Sequence, residues 1–121
     1  MSAQTMLSTG DKWYSYSGEV FGVVSVPTTI QLILIPNTGL KDSYVIVQPF
    51  YSLPTSTSST EILGIQVKLN DVVVINSQTI RREGDDFVLF VPRQSKLEVT
   101  SLNSSANNTQ ERGCNLLGYY L

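Results

Sequence analysis

Short runs of β-branched and aromatic residues, separated by Gly, Pro and Asn, recur along the chain from Lys12 onward. The apolar residues never keep helical spacing for more than about one turn. This pattern predicts an all-β chain, because short apolar runs bounded by turn residues are typical of strands. The predicted strands cover residues 12–17, 19–26, 29–35, 43–50, 62–69, 72–76, 86–91, 96–102 and 115–121.

Apolar and polar residues alternate most clearly between Leu63 and Leu69, where every second residue is Leu, Ile or Val. Successive side chains of a strand point to opposite faces, so this apolar set is expected to face a core. Asn70-Asp71 is expected to turn the chain tightly into the next strand. Pro36 to Gly39 predicts a second turn, with Gly39 at positive φ.

Eight or nine antiparallel strands must curl or split into two packed sheets, and 121 residues suffice for one such domain. The predicted fold is therefore an antiparallel β-sandwich, jelly-roll-like, formed by residues 11–121. Residues 1–10 are small and polar apart from Met6 and Leu7. They predict an extended N-terminal arm that docks on a partner, with Met6 and Leu7 as its apolar anchors.

Composition excludes several classes of function. The chain has no His and a single Cys, so it lacks the commonest general base, the commonest metal ligand and any intrachain disulfide. Its net charge is −2 and its basic residues are scattered apart from Arg81-Arg82, which argues against a nucleic-acid interface. Its apolar runs reach five residues, against about 20 for a transmembrane helix. No secretory signal is recognisable at Met1, which predicts that the chain is either made and used in a cytosol or released by lysis of the cell.

Three groups of residues could carry chemistry, and each has a simpler interpretation. Glu83-Gly84-Asp85-Asp86 offers carboxylates to Ca²⁺, but its spacing does not match the calcium-binding loop and favours a solvated hairpin turn. Ser95 and Lys96 cannot form a nucleophile and base pair, because adjacent strand residues point to opposite faces. Cys114 has no neighbouring His or Lys to stabilise a thiolate and is predicted to be a buried, unreactive thiol. The sequence therefore predicts no catalytic residue, no metal site, no cofactor and no enzymatic activity.

The strand at residues 29–35 is expected to be apolar on both faces. Strict alternation places Ile30, Leu32 and Leu34 on one face and Ile33 and Ile35 on the other. Only 15% of the residues are charged, which is low for the surface of an isolated small domain. Part of the surface is therefore expected to be covered in an assembly.

Aromatic residues near both ends of the predicted domain are expected to add to this covered surface. Alternation cannot bury Trp13 on the same strand face as Tyr14, so some aromatic surface should point outward. The predicted interface residues are Met6, Leu7, Trp13, Ile33, Ile35, Tyr119 and Tyr120.

The segment from Phe87 to Val99, a polar loop and the final Leu117-Gly118-Tyr119-Tyr120-Leu121 resemble the closing strands of small jelly-roll virion proteins. The last segment is also similar to the final strand of tumour-necrosis-factor and complement-like jelly rolls, which are generally trimeric. The resemblance implies a tailed-phage capsid decoration protein or another accessory structural protein of a virion.

These observations together predict a non-enzymatic virion structural protein. It would serve as a capsid decoration, cement or accessory subunit of a bacteriophage and dock on a viral shell or another virion protein through apolar strand faces and its arm. It is expected to be a homo-oligomer, with a trimer favoured, and to have neither nucleic acid nor membrane as a partner. The alternative is a receptor- or carbohydrate-binding module of a viral fibre or tail; a small enzyme is the third reading.

Overall fold

The computed structural model describes residues 7–17, 20–21, 28–52, 63–79, 86–103 and 111–121. These ranges contain ten strands and no helix. The strands are β1 (Leu7–Thr9), β2 (Lys12–Tyr16), β3 (Val20–Phe21), β4 (Thr28–Ile35), β5 (Ser43–Ser52), β6 (Leu63–Leu69), β7 (Val72–Thr79), β8 (Phe87–Val91), β9 (Leu97–Asn103) and β10 (Glu111–Tyr120).

The strands form two antiparallel sheets. Sheet A has the order β1-β2-β10-β5-β8, with β3 paired to β10 beyond the end of β2, and sheet B has the order β4-β9-β6-β7. From β4 onward the chain alternates between the sheets except at the β6–β7 hairpin. This strand order is that of a jelly roll, in which two Greek keys are wrapped into a sandwich. The predicted all-β, jelly-roll-like sandwich is confirmed.

The core fills the space between the two sheets, and most of its residues alternate with outward-facing ones along their strands. The buried apolar residues are Trp13, Leu32, Ile33, Ile35, Val45, Val47, Ile65, Val67, Val91, Leu97, Val99, Cys114 and Leu116. The expected inward alternation of the strand that ends at Leu69 is confirmed at Ile65 and Val67.

Trp13 is the largest side chain of the core, and the expectation that it belongs to an outward interface is wrong. It lies opposite Gly118 of the neighbouring strand β10, and its indole covers that residue so closely that a Cβ there would overlap the ring. The indole Nε1 donates a hydrogen bond of 3.3 Å to the buried Ser43 Oγ on β5. The missing side chain of Gly118 therefore makes the space that the indole fills.

Strand β4 keeps one apolar residue, Leu34, on its outer face and not the predicted Ile33 and Ile35, because a β-bulge interrupts its alternation. Gln31 pairs with Thr100 and Ile33 pairs with Val99, so Leu32 is an extra residue on β4. Leu32 and Ile33 are both fully buried, and Ile35 is buried with them. The expected outward position of Ile33 and Ile35 is therefore wrong, since one inserted residue moves every following side chain to the other face.

Two predicted turns are confirmed at one end of the sandwich. Asn70 and Asp71 both have positive φ, 51° and 67°, as a two-residue type I′ hairpin requires. Gly39 has a φ of 101°, and its N–H donates to Asn37 Oδ1 at 2.8 Å. At this end the buried Thr38 and Ser95 join the β4–β5 and β8–β9 connections, because Thr38 N–H donates to Ser95 O at 2.9 Å. These polar connections close the core here with their own hydrogen bonds.

The termini of the predicted domain differ from expectation. Leu7–Thr9 of the predicted arm form β1, which pairs with β2, whereas residues 1–6 lie outside the described residues. The last strand begins at Glu111, four residues before the predicted start at Asn115, and is a central strand of sheet A between β2 and β5. Most of the predicted strand at 19–26 and most of the polar loop before the last strand also fall outside the described residues.

A candidate docking face on sheet A

The outer face of sheet A carries apolar and aromatic side chains in register across its strands. One row joins Tyr14, Leu117, Ile46 and Val88, which are successive partners on β2, β10, β5 and β8. The next row joins Lys12, Tyr119, Tyr44 and Phe90 on the same four strands. We define the aromatic face as Tyr14, Tyr16, Tyr44, Ile46, Val88, Phe90, Leu117 and Tyr119.

The period of two along each strand produces this face. On β2 the residues Trp13 and Ser15 are buried, so Tyr14 and Tyr16 point outward between and beyond them. On β5 the buried Val45 and Val47 likewise leave Ile46 on the other side. Both faces of these strands are apolar, and the inner one is already used by the core.

Several large apolar side chains of the aromatic face are exposed. The exposed fraction is 71% for Val88, 49% for Tyr44, 47% for Tyr16, 45% for Phe90 and 38% for Tyr119. Single exposed apolar residues are ordinary on protein surfaces, but a contiguous group of them marks an interaction site. The aromatic face therefore has the composition of an unpartnered interface.

Ring contacts hold the aromatic side chains of this face. The rings of Tyr14 and Tyr16 stack with their centroids 6.3 Å apart. Tyr44 and Phe90 meet edge to face at 6.0 Å. Lys12 Nζ lies 5.7 Å from the centroid of the Tyr119 ring, within the range of a cation–π contact. Such contacts restrict the rotamers of the rings, so a partner would lose less side-chain entropy on binding them.

The outer face of sheet B is mostly polar by contrast, and its exposed Val72, Val73 and Val74 are confined to the edge strand β7. Gln31 Nε2 donates to Glu98 Oε2 at 2.6 Å between β4 and β9. Lys68 and Gln66 occupy the outward positions of β6. Lys96 Nζ forms an ion pair of 2.8 Å with Asp71 at the turn between β6 and β7. Polar side chains of sheet B therefore form hydrogen bonds and an ion pair with one another.

Of the predicted interface residues, the structure brings only Tyr119 onto the aromatic face. Trp13, Ile33 and Ile35 are buried in the core, as described above. Tyr120 is half-buried and packs against the core, with Lys41 Nζ 5.9 Å from its ring. Met6 and the side chain of Leu7 lie outside what the structure describes.

The exposed Tyr44, Val88 and Phe90 were not among the interface residues predicted from the sequence. The sequence did contain an indication of this exposed surface, because Phe87–Val91 has no polar residue at either its odd or its even positions. An antiparallel strand at a sandwich surface has one face in the core, so a uniformly apolar run must expose its other face. Which face is exposed depends on the pairing with β5 and not on the run itself.

The candidate chemical groups of the sequence lie apart from one another. Ser95 Oγ donates to Pro92 O at 2.7 Å, whereas the Lys96 ammonium pairs with Asp71 and holds the pKa of that carboxyl below its usual value. Cys114 is fully buried as predicted, and loss of solvation raises the pKa of its thiol to about 12. Of the candidate calcium loop only Asp86 is described, and it is exposed. The described residues contain no group of three potential metal ligands.

No protein-family model and no curated protein matches the chain. In the part of the chain that the structure describes, no helix is long and apolar enough to cross a membrane.

Proposed function

We propose that this chain is a non-enzymatic structural protein of a virion, a decoration, cement or accessory subunit that docks on a viral shell through the aromatic face. The observation that carries the proposal is an exposed, register-aligned aromatic face on a jelly roll. Jelly rolls are a recurrent architecture of viral capsid proteins, although fold alone does not establish function.

The mechanism of docking follows from the face. Tyr and Phe bury large areas with few rotatable bonds, and they are enriched at the centres of protein interfaces. Tyr44 and Tyr119 lie on the central strands β5 and β10, so they can sit at the centre of a contact. Tyr16 and Phe90 lie on β2 and β8, towards its margins. Removal of this surface from water would supply most of the binding free energy.

The polar outer face of sheet B supports a single orientation on the shell. Its Gln31, Lys68 and Glu98 are suited to contact with water. A subunit that docks by sheet A would present sheet B to the solvent outside the particle. Residues 1–6 of the expected arm at 1–10 are a second contact in this proposal, since they precede β1 at the edge of sheet A.

The first test asks whether virus particles from the same source contain the chain. Purified particles analysed by mass spectrometry should contain it at a fixed copy number, and antibodies raised against the purified chain should label intact particles. Particles that lack the chain after purification on a density gradient would contradict a virion role.

The second test asks whether the aromatic face makes the contact. The double variant Tyr16→Ser/Tyr44→Ser, added back to particles stripped of the wild-type chain, should bind at strongly reduced occupancy. The matched control is Val73→Ser/Val74→Ser on the edge of sheet B, where the exposed fractions are a similar 44% and 42%. If both variants bind the particles at equal occupancy, the aromatic face does not make the contact with the shell.

A carbohydrate- or receptor-binding module is the second candidate, and one row of the same sheet favours it. Tyr16, Asn115 and Gln48 are successive partners on β2, β10 and β5, and they place an exposed ring beside two amides. Rings that stack on sugar faces and amides that bond hydroxyl groups are the usual elements of such sites. A glycan array separates the two candidates, because a shell-docking subunit should show no saccharide preference that Tyr16→Ala abolishes.

A further inference from the structure

The edges of the two sheets differ in how they are protected against pairing with other chains. An edge strand presents unpaired N–H and C=O groups, and proteins protect such edges with bulges, charges, Pro or short strands. In the described residues the edges of sheet B are β4 and β7, and each carries a bulge, at Leu32 and at Val74. The edge strand β1 of sheet A has only three residues.

Strand β8, at the other edge of sheet A, has none of these protections. It pairs with β5 in unbroken register from Phe87 to Val91. Its sequence Phe-Val-Leu-Phe-Val contains no charged residue and no Pro. Among the described residues no strand lies on its other side. It is therefore an open template for one further antiparallel strand.

We infer that β8 pairs with β8 of a second copy of this chain, antiparallel and about a two-fold axis, so that two copies of sheet A become one continuous sheet. Pairing centred on Leu89 places Val88 opposite Phe90 of the second copy and Phe87 opposite Val91 of the second copy. Every pair apart from the central one then joins an aromatic to a β-branched residue, a favourable cross-strand combination. An isologous contact of this kind closes at two copies.

Charge at the ends of β8 fits the antiparallel direction. The exposed Asp86 precedes the strand, and the exposed Arg93 follows it. Antiparallel pairing brings the acidic end of each copy beside the basic end of the other, so that the dimer has two such contacts. Asp42 accepts the Arg93 backbone N–H at 2.8 Å, and Lys41 next to it keeps this end net positive. A parallel arrangement would instead bring like charges together.

The pairing would join two aromatic faces side by side, because a two-fold axis perpendicular to the sheet keeps both outer faces on one side. Pairing of β8 is a property of the free chain and does not depend on the virion role. A trimer, which the resemblance implied, would need a different interface, since an antiparallel pair of β8 strands has no edge left for a third copy.

The test is the mass of the chain in solution, measured by sedimentation velocity and light scattering from about 1 to about 100 μM, a range that brackets micromolar affinity. A species of twice 13.4 kDa is expected to form within it. Val88→Lys should weaken this dimer by about tenfold or more, because it removes two cross-strand pairs and charges the edge. The control Val73→Lys, on the bulged edge of sheet B, should leave the dimer intact.

Two further measurements separate edge pairing from packing of one aromatic face on another. Tyr16→Lys lies on the aromatic face but at the far side of the sheet, so it should not weaken an edge-paired dimer. Amide hydrogen exchange of the wild-type chain should slow with rising concentration within residues 87–91 and stay constant within 72–79. A monomer over the whole range, a trimer, or a dimer that Tyr16→Lys dissociates while Val88→Lys does not would overturn the inference. So would exchange within β8 that does not change with concentration.

Discussion

The outer faces of the two sheets differ although the inner faces are alike. Both sheets supply Val, Leu and Ile to one core, yet sheet A carries Tyr, Phe and Val across several strands of its other side. Sheet B carries mostly Gln, Lys, Glu and Thr there, with exposed Val only on its edge strand β7. A sandwich needs only one apolar face on each sheet. The apolar residues outside sheet A are therefore surplus to folding, and a second apolar face of this kind is the mark of a contact with another molecule.

The largest expected effect is a difference in the free energy of unfolding between variants on the two faces of strand β2. Trp13→Ala empties the centre of the core and should lower the free energy of unfolding by about 3 to 5 kcal/mol. Tyr16→Ala, three residues on but on the aromatic face, should change it by less than about 1 kcal/mol. Urea unfolding of both variants measures the difference. Similar losses in the two variants would mean that the aromatic face belongs to the folding core, and the comparison would fail.

The two faces of β10 should differ in thiol reactivity. With a pKa raised from 9.0 to about 12 by burial, the Cys114 thiol carries about a thousandfold less thiolate at pH 8 than an ordinary cysteine. Labelling of the native protein by a disulfide reagent should be slower by at least that factor. The variant Cys114→Ser/Tyr119→Cys, with its thiol on the aromatic face, should label at the rate of an exposed thiol. Prompt stoichiometric labelling of native Cys114 would contradict its burial.

The contact of Trp13 with Gly118 gives the next largest effect. Gly118→Ala places a methyl group where the indole lies and should cost about 1 to 3 kcal/mol, as overpacking does. In a Trp13→Leu background the same substitution should cost clearly less, because the ring that it overlaps is gone. Denaturant unfolding of the four proteins gives the coupling free energy. Equal costs in both backgrounds would place the constraint on Gly118 elsewhere, in the backbone of β10.

The smallest effect is expected at the polar surface of sheet B. The Lys96 ammonium lowers the pKa of Asp71 from its ordinary 3.8, so their ion pair stabilises the fold above that value and loses its effect as the pH falls through the lowered pKa. On the basic side Asp71 raises the pKa of Lys96 above 10.5, so the contribution persists below that value and is lost as the pH rises through the raised pKa.

Asp71→Asn should therefore cause a slight loss of stability at neutral pH that disappears in acid, since both groups are exposed and screened by water. Thermal unfolding at a series of pH values measures the loss, and titration of the Asp71 carboxyl by NMR measures the pKa itself. A loss that stays the same at every pH would assign the effect to the turn and not to the charge.

Local pattern was sufficient to predict the fold class and most of the strands. The strand at 43–50 and the strand at 86–91 differ from β5 and β8 by at most two residues at either end. Turns with a strong chemical requirement, Asn70-Asp71 and Gly39, were also predictable, because positive φ is tolerated by few residue types. These features depend on neighbours in the sequence.

The candidate site was predicted less well, because exposure of an apolar strand depends on its partners. Ile33 and Ile35 follow a single extra residue in β4, and that bulge is visible only in the pairing with β9. Val88 and Phe90 are chemically indistinguishable in sequence from the inward Phe87 and Leu89 of the same strand. Alternation divides a strand into two sets of side chains, but it does not tell which set the core receives.

The order of residues along the chain was enough to predict antiparallel strands, the positions of two turns and the burial of the cysteine. These properties follow from local backbone preferences and from the cost of leaving apolar residues in water. The strand order, the burial of Trp13 against Gly118 and the second apolar face of sheet A were set by the assembled fold and could not be predicted from local pattern. The physical reason is that β-sheet contacts join residues far apart in the chain, such as Trp13 with Gly118, and their register is fixed by the assembled sheet.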